Sequence, residues 1–240
     1  MSPERRTLRP RPHPLALTIT LALAGAPFAT VHAATLPVTS CADDGSPGTL
    51  RSVIASAHNG DVVDMAQLTC STITLQLGQI DTGTLRDLTI NGPGRYALTI
   101  SGGGVSPVLY VSLYNGIFSL SDLTIAHGLT EPNKYERPAC LSSLSGNVVL
   151  ERVTITDCHT YVNPAFGVNG GGAVFAVSLT MIDSTISDSS VRTVDYDGSA
   201  QGGGAYVGFA TLVRSTISGT AAIGQPALGH PGGGGLWVGA

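Results

Sequence analysis

Apolar and polar positions alternate in short runs along the chain, and one run returns at a near-constant interval. It reads Leu85-Arg86-Asp87-Leu88-Thr89-Ile90, then Leu120-Ser121-Asp122-Leu123-Thr124-Ile125 and Leu150-Glu151-Arg152-Val153-Thr154-Ile155. Met181-Ile182-Asp183-Ser184-Thr185-Ile186 and Leu212-Val213-Arg214-Ser215-Thr216-Ile217 follow. Each copy ends in Thr-Ile and carries a large apolar residue five places before the Ile; the Ile spacings are 35, 30, 31 and 31. In a strand, successive side chains face opposite sides, so the residues flanking the Thr share one side and the Thr takes the other. One copy cannot bury its apolar side alone, but stacked copies make a continuous core. The pattern predicts an all-β fold: a right-handed single-stranded parallel β-helix, or solenoid. Ile90, Ile125, Ile155, Ile186 and Ile217 are expected in one buried column, with the Thr residues outward.

Glycine triplets keep step with these strands. They stand at 170–172, 202–204 and 232–234, each followed by a small residue and an apolar pair. Glycine permits a corner with positive φ or a close approach of neighbouring backbones. Turn residues also follow each strand: Asn91-Gly92, His127-Gly128, Asp157-Cys158, Asp188-Ser189 and Gly219-Thr220. Leucine-rich repeats need a shorter period and propeller blades a longer one.

The first part of the chain departs from the repeat. Leu50, Val53, Ile54 and Ala57 have helical spacing, with Thr49 as N-cap and Asn59-Gly60 as terminator, so a helix is expected over about 49–58. Residues 34–71 read as a cap over the exposed edge of the first coil, and 72–240 as the repeats. The last residues, Gly232 to Ala240, match a segment that one coil earlier runs on into a Thr-Ile strand. The sequence therefore reads as a solenoid cut in mid-repeat.

Residues 1–33 have the three parts of a secretory signal peptide. Arg5, Arg6, Arg9 and Arg11 precede an apolar run from Leu15 to Ala26, and Val31-His32-Ala33 supplies the cleavage site. Without them 8 of the 12 basic and 15 of the 16 acidic residues remain, a net charge near −7. That argues against nucleic acid as a partner. No apolar run in the mature part is long enough to span a membrane, and the expected location is secreted or cell-surface. Cys41, Cys70, Cys140 and Cys158 are an even set in an exported chain, so disulfides are expected. Pairing of sequence neighbours, Cys41–Cys70 and Cys140–Cys158, is the simplest of three connectivities.

The stretch Cys41-Ala42-Asp43-Asp44-Gly45-Ser46-Pro47-Gly48-Thr49-Leu50-Arg51, with Asn59-Gly60-Asp61 after the helix, resembles the start of exported bacterial β-helix proteins. These are the parallel β-helix repeat proteins of pectin-lyase-like fold, of the CSLREA, choice-of-anchor and polymorphic outer membrane protein types. The Gly-Gly-Gly-Ala and Ser-Thr-Ile-Ser segments are similar to their repeats. The phrase Cys-Ser-Leu-Arg-Glu-Ala is absent, and only Leu50-Arg51 stands in its place. The resemblance implies the fold; it leaves function open between non-enzymes and polysaccharide lyases or glycoside hydrolases.

No catalytic constellation stands out. Asp87, Asp122, Arg152, Asp183 and Arg214 share one repeat position, so stacking would set them in a row. Such a row is a carbohydrate or cation track, or a solvated face of mutually supporting charges. Asp195 and Asp197 on a Gly-containing loop could hold Ca²⁺, although the EF-hand Glu is missing. His127 and Asp43-Asp44 read as turn residues. Tyr110, Tyr114, Tyr135, Tyr161 and Tyr196 are the aromatic residues available to a glycan, and 129–138 and 159–169 read as protruding loops. The expected function is non-catalytic: surface display, adhesion or interaction with extracellular glycans or cell-surface components.

Overall fold

Alternation of apolar and polar residues over three to five positions, broken by a residue tolerant of positive φ, makes most strands here short. The computed structural model describes residues 33–112, 115–131, 138–162, 170–194, 200–224 and 232–239. Their strands form three sheets, of eleven, six and three strands, paired in parallel throughout. In one turn, Leu141–Ser143 and Asn147–Glu151 lie in the first sheet, Thr154–Thr156 in the second and His159–Val162 in the third. In the next, the two first-sheet pieces merge into one strand, Val174–Ile182, paired with both. The expected parallel β-helix is the observed fold.

The core is a set of columns one residue wide. Ile125, Ile155, Ile186 and Ile217 stack in register in the second sheet. The first three are fully buried and Ile217 is half-buried, while the Thr residues before them face outward. Ile90 is not in this column. It lies in the first sheet between Val63 and Leu120, in a column that continues through Leu150, Met181 and Leu212. The second-sheet column starts instead with Ile73 and Ile100. The reason is chemical degeneracy. An apolar-Thr-Ile run satisfies either sheet, and Ile100 escapes the six-residue motif because Arg95 occupies the place five residues before it. The spacings from Ile73 to Ile100 and on to Ile125 are 27 and 25, so the early turns are shorter.

Glycine triplets mark a close approach between turns. A Cβ on Gly172 would sit 1.9 Å from the Gly203 carbonyl oxygen, and one on Gly203 would sit 2.4 Å from that of Gly234. Only glycine fits there. Just outside, Phe175 and Tyr206 stack at 5.5 Å between ring centroids, and Trp237 is in register with Tyr206.

At the N-terminal end, the helix Leu50–Ser56 buries Leu50, Val53 and Ile54, and the Thr49 side chain accepts from Ser52 N–H as its cap. It ends two residues before the expected boundary. The buried Asp61 carboxylate accepts the His58 N–H at 2.8 Å and the Ala34 N–H at 2.8 Å, drawing the chain out of the helix. Thr35–Pro37 and Val62–Asp64 already pair into the first sheet, so the stack begins inside the segment read as a cap. Both disulfides form as expected, with Cα separations of 6.3 Å for Cys41–Cys70 and 5.8 Å for Cys140–Cys158. Asp43 does more than shape a turn: it is buried, holds Arg51 at 2.7 and 2.8 Å and accepts the N–H groups of Gln76 and Leu77. Asp44 makes the turn bond, to Ser46 N–H at 2.9 Å.

Candidate functional site

Two corners recur from turn to turn, and from Asp122 and His127 onward both have positive φ. At the corner between first and second sheets stand Asp122, Arg152, Asp183 and Arg214, with φ of 56°, 53°, 49° and 49°. At the corner between second and third sheets stand His127, Asp157, Asp188 and Gly219, with φ of 53°, 53°, 47° and 62°. Asp, His and Gly tolerate this region best; Arg is unusual in it.

The first corner is a ladder of ion pairs. Arg152 holds Asp122 through Nε and Nη2, both at 2.7 Å, and Arg214 holds Asp183 at 2.6 and 2.7 Å. Arg152 also bonds Glu151, and the Arg95 guanidinium bonds the Asp183 carbonyl. The hydrogen bond from Arg152 holds the Asp122 carboxyl below the usual carboxylate range against partial burial, and Arg214 does the same for Asp183. Three acidic and three basic groups thus neutralise one another. Asp87 is not among them. Gly92 takes its expected place, since its N–H bonds Ser121 O as Asp122 N–H bonds Glu151 O. Asp87 lies before a first-sheet strand and accepts Ile117 N–H at 2.8 Å. The register of Ile90 explains this: the residue three before it belongs to a different corner.

The second corner holds a cluster that the strand motif did not flag. Asp157 Oδ2 lies 2.6 Å from His127 Nδ1, and Oδ1 lies 2.9 Å from His159 Nε2. The other ring nitrogen of His159, Nδ1, is 3.0 Å from Ser190 Oγ. Hydrogen bonds from His127 and then His159 hold the Asp157 carboxyl below its ordinary range, against some desolvation. The signal was available: His127 and Asp157 are 30 residues apart, and His159 and Ser190 are 31 apart, one period in each case. Residues one period apart are neighbours in a solenoid.

Other sequence candidates are scattered. Tyr110 lies on the first sheet and Tyr161 on the third, both half-buried. Tyr114, Tyr135, Tyr196, Asp195 and Asp197 lie outside the described residues. Among the described residues no group of three His, Cys, Asp or Glu side chains is placed to hold a metal, and no helix is long and apolar enough to cross a membrane. A cavity of about 350 Å³ lies beside the helix, lined by Ile54, Ala57, Thr82, Leu85 and Asp81 among others. Asp81, the carboxylate in its wall, accepts Gly83 N–H at 2.8 Å.

Fold and corners together define the class: a disulfide-braced parallel β-helix with charged corner ladders. No protein-family model, no curated protein and no solved structure matches the chain.

Proposed function

We propose that this is an exported β-helix protein of the bacterial type it resembles, working at the cell surface or outside the cell by interaction rather than by glycan cleavage. The observation that carries this reading is the regular parallel stack braced by two disulfides, in which the row of corner carboxylates is engaged by arginines. A repeated, evenly built surface suits recognition of extracellular glycans or cell-surface components. Two disulfides suit an oxidising compartment, and the arginine-rich, then apolar first 33 residues suit export. Glycosidase chemistry wants two carboxylates facing one sugar bond. The carboxylates of Asp122 and Asp183 are each engaged by an Arg.

The test is incubation of the full-length protein with a panel of polyuronates and neutral glycans, scoring retention and cleavage separately. Retention without cleavage is the expected result. Release of reducing ends or unsaturated uronates, abolished by changing one Asp, overturns the reading.

A further inference from the structure

The second corner supports a chemistry unrelated to sugar-bond cleavage. An ionised carboxylate only accepts hydrogen bonds. Asp157, flanked by two imidazoles, therefore dictates both tautomers: His127 donates from Nδ1 and His159 from Nε2. In neutral His159 the remaining nitrogen, Nδ1, is then a bare acceptor. Ser190, 3.0 Å away, must be the donor. The hydroxyl proton thus points into an imidazole whose far side is held by a carboxylate, which is the arrangement that activates a serine.

We propose that Ser190 is an activated nucleophile that accepts acyl groups from carboxylic esters, with His159 as its base and Asp157 as a positioning residue. Access favours this. The side chains of Asp157 and His159 are 46% and 44% exposed, and the residue stacked on Ser190 in the next turn is Ala221, which presents only a methyl. Arg192 is exposed two residues along the same strand, on the same face and about 7 Å away at the Cα. It is the cation within reach of a developing oxyanion. The Ser190 N–H gives no help there, because it is bonded to Cys158 O.

The step balances without a cofactor. Ser190 Oγ bonds to the carbonyl carbon as His159 Nδ1 takes the hydroxyl proton. The carbon–oxygen bond to the alcohol breaks, and the alcohol leaves with that proton. Water then attacks the acyl-serine, giving its proton to His159, and the acid departs as the serine is restored. With one flexible cation in place of fixed backbone donors, the second half is expected to be slow, so the acyl-enzyme accumulates.

The experiment uses the full chain with a fluorophosphonate probe and with p-nitrophenyl acetate, the adduct being located by peptide mass spectrometry. The expected result is one adduct, on Ser190, formed at least about tenfold faster than any labelling of Ser190→Ala. Asp157→Asn should lower the rate and change its pH profile, with partial recovery in Asp157→Glu. Equal labelling of wild type and Ser190→Ala, or equal labelling of native and urea-unfolded wild type, overturns the proposal. Ser190→Ala removes only one hydroxyl from a half-buried site, so it decides the matter even if the Asp157 variants melt early. A folded Asp157→Asn that labels at the wild-type rate also overturns it, leaving the cluster a structural ladder.

Discussion

Arg152 grips Asp122 with two parallel hydrogen bonds of 2.7 Å, across 30 residues of sequence and one step of the stack. The geometry is that of a bidentate pair, but both side chains are substantially exposed, at 44% and 30%. Solvent and salt therefore screen it. A double-mutant cycle with Asp122→Ala and Arg152→Ala should show a favourable coupling at low salt that fades toward about 1 M salt, where the Debye length is about 3 Å. A coupling that survives high salt would mean that the pair is effectively desolvated.

The isoleucine column should carry far more stability. Ile155→Ala empties a fully buried site between Ile125 and Ile186 and should cost about 2–5 kcal/mol. Ile217→Ala, at a half-buried rung, should cost clearly less. Urea denaturation of the two variants checks the order.

Reduction of the Cys140–Cys158 bridge opens a loop of 18 residues. Its loss should destabilise the fold by about 2–4 kcal/mol, largely through the freed unfolded chain. The paired Cys140→Ala, Cys158→Ala variant measured against wild type under oxidising conditions gives this number directly.

Acid should weaken the protein in a defined window. Burial alone would raise the Asp43 carboxyl, but hydrogen bonds from Arg51, Leu77 and Gln76 hold it below the usual range; His127 and His159 do so for Asp157. A folded pKa below the unfolded value of about 3.9 means that the unfolded chain binds more protons in the interval between them. The stabilisation is complete above about pH 4 and is lost as the pH falls through the folded values. Urea midpoints followed from pH 6 to pH 2 should fall mainly below pH 4, and Asp43→Asn should flatten that fall while lowering stability at neutral pH by about 3 kcal/mol.

Gly219 occupies the second corner with φ of 62°, and a Cβ there would meet Asp188 Oδ1 at 2.5 Å. Gly219→Ala should therefore destabilise by about 1–2 kcal/mol from the left-handed backbone alone. Pairing it with Asp188→Gly should recover the part due to the contact, as thermal melts of the single and double variants would show.

How much of this was legible beforehand follows from what the repeat specifies. A period near 31 sets which residues stack, so the Thr-Ile rungs from Ile125 onward, the outward Thr faces and the four corner charges from Asp122 could be read directly. Ile90 and Asp87 were misplaced because Leu88-Thr89-Ile90 satisfies the alternation of either sheet, and only the pairing partners, Val63 and Leu120, decide between them. The Ser190 cluster needed a different comparison. His127, Asp157, His159 and Ser190 share no motif, and they become neighbours only when two corner columns are laid side by side at one-period offsets.

The contact between Gly172 and Gly203, repeated between Gly203 and Gly234, has a mechanical meaning. Strand pairing among the described residues joins each turn to the turns beside it, with Arg95 alone of the corner arginines reaching further, to the Asp183 carbonyl, so order spreads along the stack much as in a one-dimensional chain of coupled units. A single wedge at Gly203, such as Gly203→Val, would then act as a domain wall. The turns on either side would melt as separate blocks, and one cooperative transition would become two.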